Sequence, residues 1–224
     1  MSQVFDKVAE RFAGSIDAAM SKGNYVRGEL FVELTKMANP SGGFVLDYGC
    51  GPGRLSYMLA GSGFKVRGVD TSEGMIKEAR ALDSNGLEID FQSIETFEEG
   101  LPRDTFDVIV CSSVIEYVPD PGELIRAFHG ALRKPGTLVI SFANKSSYWR
   151  KRWEREAADN PMKTPQHHTW NWPGFRSLLN ENGFRIATQP KYYESPWDGR
   201  RWGKWFRGSP HVGSLGVVVA EPII

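Results

Sequence analysis

Cysteine is scarce in this sequence: Cys50 and Cys111 are the two that occur in 224 residues. Two cysteines are too few for the disulfide framework of a small secreted domain, and no metal-ligand spacing surrounds them. We therefore expect no bound metal and a protein of a reducing compartment, the cytoplasm.

Long apolar runs are also missing. No stretch of the sequence approaches the ~20 apolar residues that a membrane-spanning helix needs. The first residues, "MSQVFDKVAERF", carry charge from Asp6 onward and contain no apolar signal region. We expect neither a transmembrane segment nor a targeting segment.

The third absence is an excess of charge of one sign, since Lys+Arg and Asp+Glu both number 27. Net charge therefore gives no reason to expect a polyanionic partner. The sequence has no RNA-binding module and no basic extension, which disfavours nucleic acid as a partner. Nothing in the sequence indicates an oligomeric state.

What the sequence does contain is an alternation of predicted helices and strands. Helical spacing covers residues 1–39, and further helices are predicted at "GRLSYMLAGSG", "SEGMIKEARAL", "PGELIRAFHGALRKPG" and "WPGFRSLLNENGF". Strands are predicted at "GFVLDYG", "KVRGVD", "LEIDFQS", "FDVIVCSS", "GTLVISFAN", "FRIATQPKYY" and "GSLGVVVAEP". This order predicts an α/β fold with a mostly parallel sheet and helices on both faces. No repeat or linker divides the chain, so we expect one domain.

The loop "DYGCGPG" after the first predicted strand is the most informative stretch, because Gly49, Gly51 and Gly53 stand at alternate positions. Glycine permits left-handed backbone angles and lets a ligand approach the backbone closely. In parallel sheets, ligands bind at the carboxyl ends of the strands, where this loop lies. The loop therefore predicts a ligand held against the backbone.

The spacing of these glycines disfavours a nicotinamide dinucleotide. Its fingerprint is G-x-G-x-x-G, and Arg54 stands where the third glycine belongs. Asp47 at the mouth of the strand would repel a pyrophosphate and suits a cation or an ammonium group. Asp70, at the end of the second strand, can accept hydrogen bonds from both hydroxyls of a ribose. Asp90, Gln92 or Ser93 at the end of the third strand could contact an adenine.

Four elements in register resemble the class I S-adenosylmethionine-dependent methyltransferases, in their small-molecule branch. They are "VLDYGCGPGRL", "GVDTSEGMI", "IDFQSIETF", and "FDVIVCSSVIEYVPDP" followed by "LRKPGTLVIS", and they cover about residues 40–142. The resemblance implies a Rossmann-like sheet of seven strands with the last strand antiparallel, and S-adenosylmethionine as the cofactor. It also implies a division into an N-terminal helical lid (1–39), a cofactor-binding core (40–142), a substrate-side insert (145–172) and a C-terminal helix with strands (173–224).

Site residues follow from matching the chain to this family. The residues expected at the cofactor are Tyr25, Arg27, Asp47, Gly49, Cys50, Gly51, Gly53, Asp70, Thr71, Ser72, Met75, Gln92, Ser93, Ile94, Cys111 and Ser112. The resemblance places the glycine loop and the end of the fourth strand at the methionine part, Asp70 at the ribose, and the end of the third strand at the adenine. Tyr25 and Arg27 are expected to close over the cofactor; core packing and a surface charge are their alternatives.

The region 145–207 is both basic and aromatic. It holds 13 Lys+Arg against six Asp+Glu, and it contains every tryptophan of the chain: Trp149, Trp153, Trp170, Trp172, Trp197, Trp202 and Trp205. Such a region suits an anionic or aromatic small acceptor. A membrane interface with a lipid-like acceptor and a small secondary core with solvated charges are the alternatives. Substrate contacts are expected at Tyr148, Trp149, Arg152 and Trp170.

A general base is needed only if the acceptor loses a proton during methyl transfer. His167 and His168 in "QHHTW" are the candidates, because imidazole titrates near neutrality. Many relatives have an acid followed by histidine where this chain has Glu116 and Tyr117, which weakens the expectation of a base at this point.

Two functions are consistent with these observations. The first is methyl transfer from S-adenosylmethionine to oxygen or nitrogen of a small, anionic, aromatic or lipid-like metabolite. The second is a non-catalytic cofactor-binding module that uses the basic aromatic face 145–207 to bind a partner.

Overall fold

A computed structural model describes residues 2–22, 25–95, 100–158, 168–193 and 209–223. The helices are α1 (Ser2–Ser21), α2 (Val26–Ala38), α3 (Arg54–Ala60), α4 (Glu73–Arg80), α5 (Pro121–Ala131), α6 (Tyr148–Ala158) and α7 (Trp172–Glu181), with a 3-10 helix at Ile115–Tyr117. The strands are β1 (Gly43–Tyr48), β2 (Phe64–Asp70), β3 (Ile89–Ser93), β4 (Phe106–Cys111), β5 (Leu132–Ala143), β6 (Phe184–Ile186), β7 (Lys191–Tyr193) and β8 (Leu215–Pro222).

All eight strands belong to one sheet, in the order β3-β2-β1-β4-β5-β8-β6, with β7 also paired to β8. Strands β1 to β5 are parallel, whereas β8 is antiparallel to β5. Strands β6 and β7 pair with successive parts of the same edge of β8 and so share one position. The predicted mostly parallel sheet with an antiparallel last strand is confirmed; seven strands were predicted, and the described residues form eight because one predicted strand is divided into β6 and β7.

The predicted strand "FRIATQPKYY" is interrupted between β6 and β7. The hydroxyl of Thr188 accepts a hydrogen bond from the backbone N–H of Val219 at 3.1 Å, in place of a ladder carbonyl. The backbone N–H groups of Ala187 and Thr188 both donate to the carbonyl of Val219. Pro190 then brings no N–H to the ladder, so pairing resumes only at Lys191.

Strand β5 begins at Leu132, earlier than the predicted Gly136. Phe106 of β4 pairs with Leu132 and Val108 pairs with Thr137, so the register shifts between them. Between these two pairs, β5 has four residues and β4 has one, which is an irregularity of the bulge type. The strand therefore starts before the apolar run by which the sequence predicted it.

Helices cover both faces of the sheet, as predicted. Helices α5 and α7 pack on one face, where Leu46 and Ile140 are buried, and helices α2 and α3 pack on the other, where Val45 and Val139 are buried. Burial on both faces explains why the central strands read as continuous apolar runs.

Side-chain caps set where several helices begin. Ser72 accepts a hydrogen bond from the N–H of Met75 at α4, which confirms the predicted cap. Asp120 caps α5, and Asn171 caps α7. Because the caps end the loops that follow β2 and β4, they help to fix the loops at the carboxyl edge of the sheet. No helix in the described ranges is long and apolar enough to cross a bilayer.

The conformation of Gly53 yields a test of how the loop is anchored. Gly53 has φ of 79°, and a Cβ there would lie 2.8 Å from the ring of Phe91 and 2.9 Å from Cβ of Ala79. We expect Gly53→Ala to lower the free energy of unfolding by about 1–3 kcal/mol, because the left-handed angle and the overlap both oppose a side chain. Urea denaturation measures this change.

Gly130 provides the matched control. It lies inside α5, and an added Cβ would meet no described atom within 4 Å. Gly130→Ala should leave the stability unchanged or raise it by up to about 1 kcal/mol. Equal effects of the two substitutions would contradict the anchoring of the loop through Gly53.

Candidate cofactor and acceptor site

A cavity of about 930 Å³ lies at the carboxyl ends of β1, β2 and β4. Its floor is the glycine loop between β1 and α3, and its roof is α1. One side is formed by the segment after β4, together with residues of α6. The cavity is therefore lined both by the glycine loop, which the sequence motifs identify, and by α6, whose function the motifs do not define.

The three alternate glycines all have left-handed backbone angles, with φ of 72° at Gly49, 53° at Gly51 and 79° at Gly53. A side chain at Gly49 would overlap Val114 of the loop after β4. Gly51 faces the cavity, where a Cβ would meet only Phe12 of the roof, at 3.9 Å, among the described residues. The glycines thus allow a tight turn between two packed loops and keep the floor free of side chains.

Asp70 ties this loop to the end of β2. One carboxylate oxygen accepts a hydrogen bond from the N–H of Gly51 at 2.8 Å, and the other accepts one from the N–H of Ser72 at 2.9 Å. Burial raises the pKa of Asp70, and the two N–H groups oppose that rise. Each oxygen can accept a further hydrogen bond, so the side chain is positioned to receive two ligand hydroxyls from the cavity.

Asp47 lies beneath the loop and is 1% exposed. The hydroxyl of Ser56 donates to it at 2.6 Å. Burial raises the pKa of Asp47 to about 7, and the charge of Asp70 adds to the rise. A cationic ligand group beside Asp47 would stabilise its ionised form.

Two carboxylates of the roof helix α1, those of Asp17 and Asp6, bind it to the loops below. Asp17 accepts hydrogen bonds from the guanidinium of Arg54 at 2.8 and 2.5 Å. Asp6 accepts one from the hydroxyl of Ser72 at 2.6 Å and one from the N–H of Gly74 at 3.0 Å. The pKa of Asp17 is lowered by its hydrogen bonds from Arg54, and that of Asp6 by the hydroxyl of Ser72.

The roof presents apolar side chains to the cavity, including Phe5, Phe12 and Ile16. These side chains belong to the segment 1–39 that the resemblance assigned to a helical lid, but the sequence did not show which side chains of α1 would face the cavity. The role of Arg54 was also missed, because its partner Asp17 lies 37 residues away.

The side of the cavity next to α6 is aromatic and basic. Trp149, Arg150 and Arg152 line it, with Glu116 and Tyr117 of the 3-10 helix. The guanidinium of Arg152 lies over the ring of Trp149, 5.7 Å from its centroid. Arg150 is 4% exposed and Glu116 is 0% exposed, so this side contains two buried charged groups that the sequence-based site omitted.

The structure brings together most of the predicted cofactor residues. Those on the cavity wall are Tyr25, Arg27, Asp47, Gly49, Cys50, Gly51, Asp70, Thr71, Met75 and Ser112, and the predicted substrate residues Trp149 and Arg152 line it too.

Four predicted residues at the ends of β3 and β4 lie outside the cavity wall. Gln92 is exposed and donates to Asp90 at 2.6 Å, and Ser93 is exposed beside β2. Ile94 donates its N–H to the carbonyl of Asp70 and packs against the core. Cys111 is 0% exposed, because its side chain points into the core beneath the sheet edge while Ser112 takes the wall position.

Two further predicted cofactor residues have structural contacts instead. Gly53 is the N-cap of α3 and packs against Phe91 and Ala79. Ser72 is the N-cap of α4, and its hydroxyl donates to Asp6 of the roof.

The remaining predicted acceptor residues also lie off the cavity wall. Tyr148 is 58% exposed, with its ring edge-on to Trp149. Trp170 stacks on His168 and packs against Phe175, with centroid distances of 5.5 Å to each. His168 is not among the residues that line the cavity, and His167, the other predicted base, lies outside the described residues.

The family model described as a methyltransferase domain matches residues 23–189. A ubiquinone biosynthesis O-methyltransferase of Idiomarina loihiensis is 42% identical over 106 residues, which are 46% of this chain and 43% of that protein. One with the same description from Pseudomonas aeruginosa is 35% identical over 116 residues, half of each chain. The chain therefore spans about half the length of the curated relatives it matches.

Solved structures share the fold. A methyltransferase of Thermotoga maritima, described as a possible histamine N-methyltransferase, has a TM-score of 0.70 at 17% identity, covering 99% of this chain and 100% of its own. Magnesium protoporphyrin IX methyltransferase of Synechocystis PCC 6803, with bound S-adenosylhomocysteine, has a TM-score of 0.65 at 22% identity over 90% of this chain and 84% of its own. With the family model matched over most of its length, the chain belongs to the methyltransferase domain family, and the resemblance to the class I S-adenosylmethionine-dependent methyltransferases that its four sequence elements predicted is confirmed.

Proposed function

We propose that this chain transfers the methyl group of S-adenosylmethionine to an oxygen atom of a small, anionic or aromatic acceptor. The observation that carries the proposal is the single cavity that joins the Asp70-anchored glycine loop to the side lined by Trp149 and Arg152. The relatives described as O-methyltransferases support oxygen, rather than nitrogen, as the atom that receives the methyl group.

The floor of the cavity suits the cofactor. Asp70 offers two carboxylate oxygens to ribose hydroxyls, and Asp47 offers a buried carboxylate to an ammonium group. Met75 provides an apolar wall beside the ribose position, and Arg27 provides a cation for a carboxylate. When bound there, S-adenosylmethionine supplies an electrophilic methyl carbon on a positively charged sulfur.

The acceptor side suits an anionic or aromatic molecule. Tyr117 and Trp149 offer ring faces and edges, while Arg150 and Arg152 offer positive charge. Phe5 of the roof packs edge-on against Tyr117 with a centroid distance of 5.7 Å, which closes this side from above. Exclusion of water and alignment of the two reactants are the main contributions to catalysis that such a cavity can make.

Transfer of a labelled methyl group tests this proposal. We expect the purified chain to move label from S-adenosylmethionine to 3,4-dihydroxybenzoate or 4-hydroxybenzoate, and to do so less well with neutral catechol, which lacks the anionic group. The nitrogen analogue 4-aminobenzoate should accept less label than either acid. Scintillation counting of the separated products gives the result.

Two outcomes would contradict the proposal. Preferential labelling of the amine would replace oxygen with nitrogen as the acceptor atom. Binding of S-adenosylhomocysteine without transfer to any hydroxyl or amine would favour the non-catalytic module.

The buried carboxyl of Asp47 predicts a pH dependence of cofactor binding. An ammonium group binds best to ionised Asp47, whose pKa in the ligand-free protein is about 7. The ionised fraction of such a group rises about tenfold between about pH 6 and about pH 8, so the affinity for S-adenosylhomocysteine should rise by about the same factor. Calorimetric titration across this range measures it.

Asp47→Asn isolates the contribution of this carboxyl. The amide oxygen can still accept the hydrogen bond of Ser56, but the side chain no longer titrates. Affinity in the variant should be lower and nearly independent of pH over the same range. An equal rise in variant and wild type would assign the pH dependence to another group.

A further inference from the structure

Glu116 lies on the cavity wall between the glycine loop, proposed to bind the cofactor, and the side next to α6, proposed to bind the acceptor. It belongs to the 3-10 helix Ile115–Tyr117, which follows β4, and it is 0% exposed. Its carbonyl accepts a hydrogen bond from the N–H of His168 at 3.0 Å, and the N–H of Tyr117 donates to the carbonyl of Val114 at 2.8 Å. The backbone thus fixes the side chain on the cavity wall.

The carboxylate of Glu116 accepts no hydrogen bond from any other described residue. Within the described part of the chain, neither of its oxygens accepts a hydrogen bond from a neighbour. The same holds for the hydroxyl of Ser112 on the same wall. Burying polar groups without partners is costly, so the arrangement indicates a ligand that brings a hydrogen-bond donor to this point.

Burial favours the protonated form of Glu116, whereas the positive charges near it favour the carboxylate. Burial raises the pKa of Glu116, while its own backbone N–H and the charges of Arg150 and Arg27 oppose the rise. Besides these two arginines, from α6 and α2, the described titratable groups that interact electrostatically with Glu116 include Cys111 of β4 and Tyr193 of β7. A carboxylate whose pKa is raised by burial is a stronger proton acceptor than an exposed one.

We propose that Glu116 accepts the proton of the acceptor hydroxyl during methyl transfer, a role that rests on the proposed function. The acceptor oxygen forms its bond to the methyl carbon as the carbon–sulfur bond breaks. The electron pair of that bond remains on sulfur, which becomes a neutral thioether, and the hydroxyl proton passes to the carboxylate. This proposal assigns to Glu116 the role expected of His168, which stacks on Trp170 and does not line the cavity.

The test compares Glu116→Gln with Glu123→Gln. The first keeps the shape of the side chain but cannot take up a proton, and the second makes the same chemical change on an exposed residue near the start of α5. Both variants should bind S-adenosylhomocysteine within about threefold of wild type, which shows that they are folded and that Glu116 does not hold the cofactor.

With 3,4-dihydroxybenzoate as the acceptor, Glu116→Gln should lower kcat by about 10²–10⁴-fold with little change in KM. The wild-type kcat should fall at acidic pH as Glu116 becomes protonated, and that fall should disappear in Glu116→Gln. Glu116→Asp should regain part of the activity and the acidic limb, whereas Glu123→Gln should match wild type throughout.

A second readout does not depend on turnover. Infrared difference spectra record the addition of 3,4-dihydroxybenzoate to the complex with S-adenosylhomocysteine. They should show a change in a carboxyl band that is present in wild type and in Glu123→Gln but absent in Glu116→Gln. This change reports directly on a hydroxyl that reaches the carboxyl group.

Several outcomes would overturn the assignment. Unchanged kcat in Glu116→Gln, or loss of S-adenosylhomocysteine affinity that accounts for the lost activity, would remove Glu116 from proton transfer. If neither anionic phenol turns over or alters the carboxyl band at millimolar concentration while S-adenosylhomocysteine still binds, the role of Glu116 fails and the cofactor half of the site stands. Failure of wild type to bind S-adenosylhomocysteine would instead reject the proposed function itself.

Discussion

The site depends on the bridge that Asp70 makes between the N–H of Gly51 and the N–H of Ser72. This bridge joins the glycine loop to the end of β2 and leaves the carboxylate facing the cavity. Left-handed angles at the glycines let the loop turn tightly enough to reach Asp70. The roof helix depends on the same region, because Asp6 binds the hydroxyl of Ser72 and Asp17 binds Arg54 at the start of α3.

Three carboxyl groups lie near the carboxyl ends of central strands in this arrangement; Asp47 and Glu116 are buried, and Asp70 is half-buried. Asp47 is the last residue but one of β1, Asp70 ends β2 and Glu116 follows β4. Burial raises the pKa of all three, which means that the folded protein bears a cost for keeping them ionised. A ligand that brings a cation to the first and hydroxyl groups to the other two recovers part of that cost. The cavity therefore selects ligands by the hydrogen-bond donors they carry.

Local patterns in the sequence predicted the fold and the floor of the site. Alternating strands and helices gave the sheet, and the spacing of Asp47, the three glycines and Asp70 gave the loop. The positions of the other predicted residues depend on contacts between distant segments. His168 stacks on Trp170 instead of lining the cavity, and Cys111 at the end of β4 is buried in the core. The importance of Glu116 could not be read from its sequence neighbours. It depends on the burial of a carboxylate that accepts no hydrogen bond from the described residues, and that burial arises only when the chain folds.

Calorimetric titration of S-adenosylhomocysteine into wild type, Asp70→Asn and Asp83→Asn tests the central claim most directly. Asparagine at position 70 would direct an amide N–H₂ toward one of the two backbone N–H groups and remove the charged acceptor. Binding to wild type that weakens by about 1–3 kcal/mol in Asp70→Asn, with no change in the exposed control Asp83→Asn, is the predicted result. Absence of binding to wild type, or equal affinity in wild type and Asp70→Asn, would contradict a cofactor site built on Asp70.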